Sequence, residues 1–222
     1  FRSTRGNKIE LFNNRIAPIQ INYLGFPGTT CLGNMDFLIA DKFVIPKKSI
    51  NFYSEKIIYM PNSFINSIKY QYSNKKNEYE KLDLPPKSFL LAAFHKTLKL
   101  SEEVVNSWIN IIRQTDNTYL WLKISNKIAK KNLVSYFETK NIDVKRILFA
   151  KNVDIYSEHI ARYSQADLFL DTPNYNGHST LVECIWSELP FITLAGESFA
   201  SRVGLSILNS LGLPELIAKS SD

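Results

Sequence analysis

The sequence predicts an α/β protein: a parallel β-sheet with helices on both faces. Three observations carry that expectation. From Phe89 onward, short apolar or β-branched runs alternate with segments of helical period. The run at 89–94 is apolar on successive residues, as a strand covered on both sides requires. Earlier runs of the same kind at 19–24 and 57–60 stop at Gly25 and Pro61. At 222 residues, the chain is long enough for one large domain or two small ones.

Taken in order, residues 19–24, 37–40 and 57–60 read as short strands. Residues 63–87 turn polar, rich in Ser, Asn, Lys and Glu, and end at Pro85-Pro86, as a linker or lobe boundary does. After the strand at 89–94, Ser101 is placed to cap a helix whose first turn carries Glu102 and Glu103 at its positive dipole end. Val104, Val105, Trp108, Ile111 and Ile112 then recur at helical spacing and define one buried face. Residues 119–124 form the next strand. The helix at 127–140 has Ile128, Ala129, Leu133 and Phe137 on its inner side. A strand at 146–150, a short helix at 158–164, a strand at 168–171 and a helix at 179–187 follow. A strand at 191–194 precedes a helix at 198–211 that stops at Gly212 before Pro214.

Composition excludes several classes. Two cysteines are too few for a disulfide scaffold, and 13% aromatics are too many for a disordered chain. No apolar run approaches the roughly 18 residues that span a bilayer. The net charge of +6 is modest. The lysine run at 127–131 sits on an amphipathic helix and reads as a solvated face, so no nucleic-acid or membrane partner is expected. Cys31 and Cys184 belong to no Cys-x-x-Cys or Cys/His cluster; free thiols and the lack of a signal segment point to the cytoplasm and away from structural zinc. The start at Phe1 and the end at Asp222 read as those of a piece of a longer protein.

Ligands in open parallel sheets sit at the carboxyl ends of strands. All three histidines follow strands here: His95 with Lys96 and Lys99, then His159 with Arg162, then His178 in Asp171-Thr172-Pro173-Asn174-Tyr175-Asn176-Gly177-His178-Ser179-Thr180. The stretch from Asn176 to Thr180 is a turn feeding a helix. Two readings stand: a phosphate site made of helix N–H groups and hydroxyls, or a plain helix cap. Lys99 is either a partner of that phosphate or a surface lysine, and His159 and His178 are either ligands or ordinary core or surface histidines. No Gly-x-Ser-x-Gly elbow, Gly-x-Gly-x-x-Gly turn or phosphate-binding loop ending in Gly-Lys-Ser/Thr occurs, which disfavours a serine hydrolase, a dinucleotide enzyme and an ATPase.

Several stretches together resemble the catalytic region of the O-linked N-acetylglucosamine transferase family, whose members carry tetratricopeptide repeats ahead of a two-lobed glycosyltransferase. They are Leu24-Gly25-Phe26-Pro27-Gly28-Thr29-Thr30, Met35-Asp36-Phe37-Leu38-Ile39-Ala40-Asp41, Tyr59-Met60-Pro61, Leu120-Trp121-Leu122, Glu158-His159, Asp167-Leu168-Phe169-Leu170-Asp171-Thr172, Gly177-His178-Ser179-Thr180 and Gly196-Glu197-Ser198-Phe199-Ala200-Ser201-Arg202-Val203. They occur in order over nearly the whole chain. The resemblance implies a GT-B-type fold. Residues 1–62 would be the C-terminal part of the acceptor-side lobe and 63–87 the inter-lobe linker. Residues 88–222 would be a Rossmann-like nucleotide-sugar lobe truncated at its C-terminus.

The same resemblance implies an inverting, metal-independent transfer of N-acetylglucosamine from UDP-N-acetylglucosamine to Ser or Thr hydroxyls of a protein or peptide. Lys99 matches the lysine that holds the diphosphate and stabilises the leaving group. His178, Ser179 and Thr180 match the phosphate-binding helix start. His159 matches the histidine stacked on uracil, and Arg162 the position whose backbone reads the base. Glu183 stands for a carboxylate near the ribose, and Gly25, Pro27 and Tyr175 approach the donor sugar. The chain departs from the family pattern at Lys96, Leu98 and Tyr156, the last replacing a lysine near the ribose. Those departures leave room for another nucleotide sugar or acceptor, or for a non-catalytic relative. No cofactor and no metal are expected, and no Asp-x-Asp motif occurs. The histidine often considered a catalytic base would lie outside these residues, so the fragment alone is expected to be inactive.

Overall fold

The computed structural model describes residues 9–66 and 82–220. Most of the expected linker, 67–81, therefore lies outside the described residues, as do the two chain ends. Strands β1 (Ile21–Asn22), β2 (Phe37–Ala40) and β3 (Lys56–Tyr59) form a parallel sheet in that order. The expected strand at 19–24 shrinks to two residues. Leu24 takes a left-handed backbone (φ 61°) and the Gly25 N–H donates to the Tyr23 carbonyl at 2.7 Å, which turns the chain out of the ladder.

The second sheet has six parallel strands: β4 (Phe89–Ala93), β5 (Thr118–Leu122), β6 (Ile147–Phe149), β7 (Leu168–Leu170), β8 (Phe191–Leu194) and β9 (Ile217–Ala218). Their spatial order is β6-β5-β4-β7-β8-β9. The chain thus winds outward from β4 in one direction and from β7 in the other, the doubly wound order of Rossmann-type folds. Strand β9 was not legible in the sequence, because two residues after Pro214 carry no periodicity.

Helices α1 (Glu102–Gln114), α2 (Lys127–Thr139), α3 (Tyr156–Ala161), α4 (Ser179–Trp186) and α5 (Val203–Leu211) connect these strands. Ser101 caps α1 by accepting from the Val104 N–H, and α1 buries Val104, Val105, Trp108, Ile109 and Ile112. In α2 the inner stripe is Ala129, Leu133 and Phe137, spaced four apart, whereas Ile128, expected on that side, is exposed. Lys127, Lys130 and Lys131 lie on the solvated side. The expected helix at 198–211 is divided. A 3-10 turn at Phe199–Ser201, closed by a reciprocal Ser198–Ser201 cap, precedes α5, which ends at Gly212 (φ 74°).

The two faces of the large sheet fill separate cores. Leu91, Ala93, Leu120, Leu122 and Leu170 pack against α1 and α2. Leu90, Ala92, Phe94, Trp121 and Phe169 pack against α4 and α5 residues such as Leu181, Val203 and Ile207. The latter core also takes in Leu38, Ala40, Val44, Ile45 and Phe64, so the small sheet shares one continuous interior with the large one. A buried carboxylate crosses this seam. Asp41 accepts from the N–H groups of Phe43 (2.8 Å), Val44 (3.0 Å) and Phe64 (2.8 Å) and from the Ser206 hydroxyl on α5 (2.6 Å).

Candidate functional site

In a doubly wound sheet the ligand crevice opens where the winding reverses, here between the carboxyl ends of β4 and β7. After β4 the chain makes a 3-10 turn at Thr97–Lys99; after β7 it runs through the 171–178 turn into α4. The Lys99 ammonium donates to the Asn176 carbonyl at 2.7 Å and sits 4.4 Å from the Tyr175 ring centroid. The His178 Nδ1–H donates to the same carbonyl at 3.2 Å, while its Nε2 is buried with no hydrogen-bond partner. Lys99, Tyr175 and His178 are therefore gathered around a single peptide oxygen, next to the N-terminus of α4 with Ser179 and Thr180. Burial lowers the Lys99 ammonium to about 8, against the pull of Asp171, and lowers His178 to about 4.

Two residues to which the sequence assigned no role hold this turn. Asp171 is buried and accepts from the Gly177 N–H (2.7 Å) and the Thr193 hydroxyl (2.7 Å); burial pushes its carboxyl up to about 6. The Asn176 side chain donates to the Thr172 carbonyl (3.0 Å) and accepts from the Gly204 N–H (3.0 Å), and its backbone N–H donates to the Ala200 carbonyl (2.8 Å). The turn is thus pinned to β8 and to the start of α5. A Cβ on Gly177 would lie 2.9 Å from the buried Leu181 side chain, so only glycine lets the turn close onto α4. His95, also buried, donates through Nε2 to the Leu170 carbonyl at 2.8 Å, and burial lowers it to about 4.

These groups set a pH dependence. His95 and His178 stay neutral in the fold but take up protons below their ordinary 6.5 once unfolded, so their contribution is lost as pH falls from 6.5 toward 4. Asp171, raised from 3.8 to about 6, acts oppositely over much of the same window. With two depressed groups against one raised, the unfolded state binds more protons, and thermal stability is expected to fall between pH 6.5 and pH 4. A melting temperature that rises across that interval would contradict the assignment.

A second cluster lies at the neighbouring strand ends. Glu183 on α4 accepts from the hydroxyls of Tyr156 (2.8 Å) and Tyr163 (2.7 Å), and His159 Nε2 stands 3.6 Å from its Oε2. Burial works to raise this carboxyl, but the facing His159, Tyr163 and Tyr156 together hold it below its ordinary value. The His159 ring is surrounded by Tyr163 (5.5 Å), Tyr156 (6.2 Å) and Phe94 (6.3 Å). Arg162 is buried, its guanidinium 6.0 Å from the Phe94 ring. Lys96 and Leu98 are exposed, Leu98 almost completely.

Gly25 and Pro27 lie on the loop after β1. That loop is fastened by Asn22 to the Gly28 carbonyl (3.1 Å), and Glu55 accepts from the Thr29 and Thr30 hydroxyls. The link toward α4 runs through Tyr23, whose hydroxyl donates to the Phe64 carbonyl (3.0 Å); the Phe64 ring meets His178 edge-on at 6.4 Å. Among the described residues no three His, Cys, Asp or Glu side chains converge as a metal-ligand set, and no helix is long and apolar enough to cross a membrane.

A doubly wound sheet whose switch point offers a lysine, a histidine and a helix N-terminus, joined to a second parallel sheet, defines a GT-B glycosyltransferase architecture. A sequence profile described as Glycosyl transferase family 41 matches residues 2–77 and 73–222, and the chain belongs to that family. It is 36% identical over 216 residues to the Arabidopsis thaliana protein named Probable UDP-N-acetylglucosamine--peptide N-acetylglucosaminyltransferase SEC, covering 95% of this chain and 22% of that protein. It is 25% identical over 329 residues to the Caenorhabditis elegans UDP-N-acetylglucosamine--peptide N-acetylglucosaminyltransferase, covering 98% of this chain and 28% of that one. The chain thus spans about a quarter of the length of these curated relatives. A lysine-to-methionine variant of Thermobaculum terrenum O-GlcNAc transferase superposes with a TM-score of 0.78 at 24% identity, over 92% of this chain and 39% of that one, a likeness of fold.

Proposed function

We propose that this chain is the nucleotide-sugar-handling part of a UDP-N-acetylglucosamine–peptide N-acetylglucosaminyltransferase. The observation that carries the reading is the convergence of the Lys99 ammonium and His178 on the Asn176 carbonyl beside the α4 N-terminus. A departing nucleoside diphosphate builds negative charge, and a fixed cation with preorganised N–H and O–H donors is what stabilises it. In this reading Lys99 transfers its ammonium from the Asn176 carbonyl to the diphosphate, while the N–H groups of the α4 start, with Ser179 and Thr180, hold the adjacent phosphate. His178 keeps Nδ1–H on Asn176, so a phosphate at Nε2 requires a proton there; binding draws one onto a histidine that is neutral when empty.

His159 supplies the face on which uracil stacks, the Arg162 backbone reads the base edge, and Glu183 lies at the ribose. Gly25, Pro27 and Tyr175 approach the sugar. The acceptor hydroxyl attacks the anomeric carbon with inversion, and the charge of the leaving group is met by these side chains and helix donors without a metal. The names of the relatives support the donor and a peptide acceptor. The free thiols Cys31 and Cys184 support a cytoplasmic setting, and upstream tetratricopeptide repeats are part of the same reading. The lobe division is 1–62, 63–87 and 88–222.

The test is calorimetric titration of UDP and GDP into the full-length protein, alongside His159→Ala. UDP is expected to bind, and the substitution to weaken it about 5- to 150-fold, because base–aromatic stacking contributes roughly 1–3 kcal/mol. Absence of UDP binding would overturn the reading, and binding of GDP alone would reassign the donor.

A further inference from the structure

The path along α4 from the phosphate end to the base passes the Glu183 carboxylate. Glu183 lies four residues after Ser179 on the same helix face, about 6 Å along the axis, roughly the span of a sugar between a phosphate and a base. Its far side faces His159. A ribose placed there would offer its hydroxyls to this carboxylate, yet both oxygens already accept hydrogen bonds: Oε1 from Tyr156 and Oε2 from Tyr163. The two phenols are not equivalent. Tyr163 is fully buried and stacked on Phe169. Tyr156, the first residue of the six-residue α3, is 47% exposed, and its ring forms a side wall 6.2 Å from His159.

We propose that Tyr156 is a specificity-determining residue of the donor site, which occupies the Glu183 oxygen that a ribose hydroxyl would otherwise take. The proposal rests on the nucleotide reading above. The ribose hydroxyl and the phenol compete for the open side of Oε1, and the half-exposed Tyr156 swings outward when the nucleotide binds. The exchange replaces one hydrogen bond to a charged acceptor by another, so part of the affinity available from the ribose is spent on displacing the tyrosine. A nucleotide without ribose hydroxyls does not enter this competition.

The experiment compares UDP with 2′,3′-dideoxy-UDP by calorimetry on the full-length protein and on Tyr156→Phe, which keeps the ring and removes the hydroxyl. UDP is expected to bind Tyr156→Phe about three- to tenfold more tightly than it binds the parent protein. The dideoxy analogue is expected to bind both forms alike. A general change in packing would move both ligands together, and equal shifts would overturn the proposal, as would unchanged or weakened UDP binding in Tyr156→Phe. UDP binding that depends on His159 but is indifferent to Tyr156 sinks this inference and leaves the nucleotide reading standing. No UDP binding at all sinks both.

Discussion

Lys99→Met in the full-length enzyme is expected to lower kcat by about 10²–10³-fold, the cost of removing one preorganised stabiliser of developing charge, while leaving the Kd for UDP within a few-fold. Methionine keeps an unbranched chain of similar reach, so what is lost is the ammonium with its contacts to the Tyr175 ring and the Asn176 carbonyl. The split between the two constants follows from where the charge acts. In the proposed reading the ground-state diphosphate is shared among Lys99, the α4 N–H groups, Ser179, Thr180 and solvent, so loss of one partner is partly made up by the others. In the same reading the bond to the anomeric carbon breaks in the transition state and the added charge falls on the diphosphate oxygen that Lys99 would meet. The free enzyme adds a second signature. With the ammonium lowered to about 8 by burial, kcat/KM is expected to fall as pH rises through that value, and the alkaline limb should vanish in Lys99→Met. Steady-state kinetics with a peptide acceptor and calorimetry with UDP measure the two constants separately. A variant with parental kcat would remove Lys99 from the chemistry.

The fold was legible because it rests on patterns with a period. Successive apolar residues in β4 and the α1 stripe ending at Ile112 each state which face is buried before any tertiary contact is known. Short elements without a period were not legible. Strand β9 has two residues, and β1 ends where Leu24 adopts a backbone that no propensity scale assigns to leucine. For the candidate site, residue types at strand ends pointed to Lys99, His159 and His178, and the winding order brings their loops to one edge of the sheet. Asp171 and Asn176 escaped assignment because they act through backbone groups. A carboxylate that receives the Gly177 N–H looks, in sequence, like any polar residue in a turn. Its burial and its raised pKa appear only once β7, β8 and α5 close around it. The Tyr156–Glu183 pair joins residues 27 apart in sequence, and nothing local to either announces it.

Asp41 shows the same limit at the seam between the sheets, and its replacement carries the largest expected loss of stability. Its Oδ1 accepts the N–H groups of Phe43 and Val44, and its Oδ2 accepts the Phe64 N–H and the Ser206 hydroxyl, all in a fully buried position. Asp41→Ala leaves three backbone donors and one hydroxyl without that acceptor in a site closed to water. Leaving a buried donor without its acceptor costs about 1–3 kcal/mol each, so with several left at once the loss is expected to exceed about 3 kcal/mol. Ser206→Ala removes a single donor and leaves the carboxylate three others, so its expected cost is about 1–2 kcal/mol. Arg202 would not compensate, since it is committed to the Phe43 and Gly196 carbonyls. Urea unfolding followed by tryptophan fluorescence reads both variants. Because Phe64 is anchored by Asp41 and its ring lies against His178, Asp41→Ala is also expected to weaken UDP binding, whereas Ser206→Ala leaves the Phe64 anchor in place and should not. A loss below 1 kcal/mol in Asp41→Ala would mean that apolar packing alone joins the two sheets, and that the α4 start keeps its shape without the carboxylate.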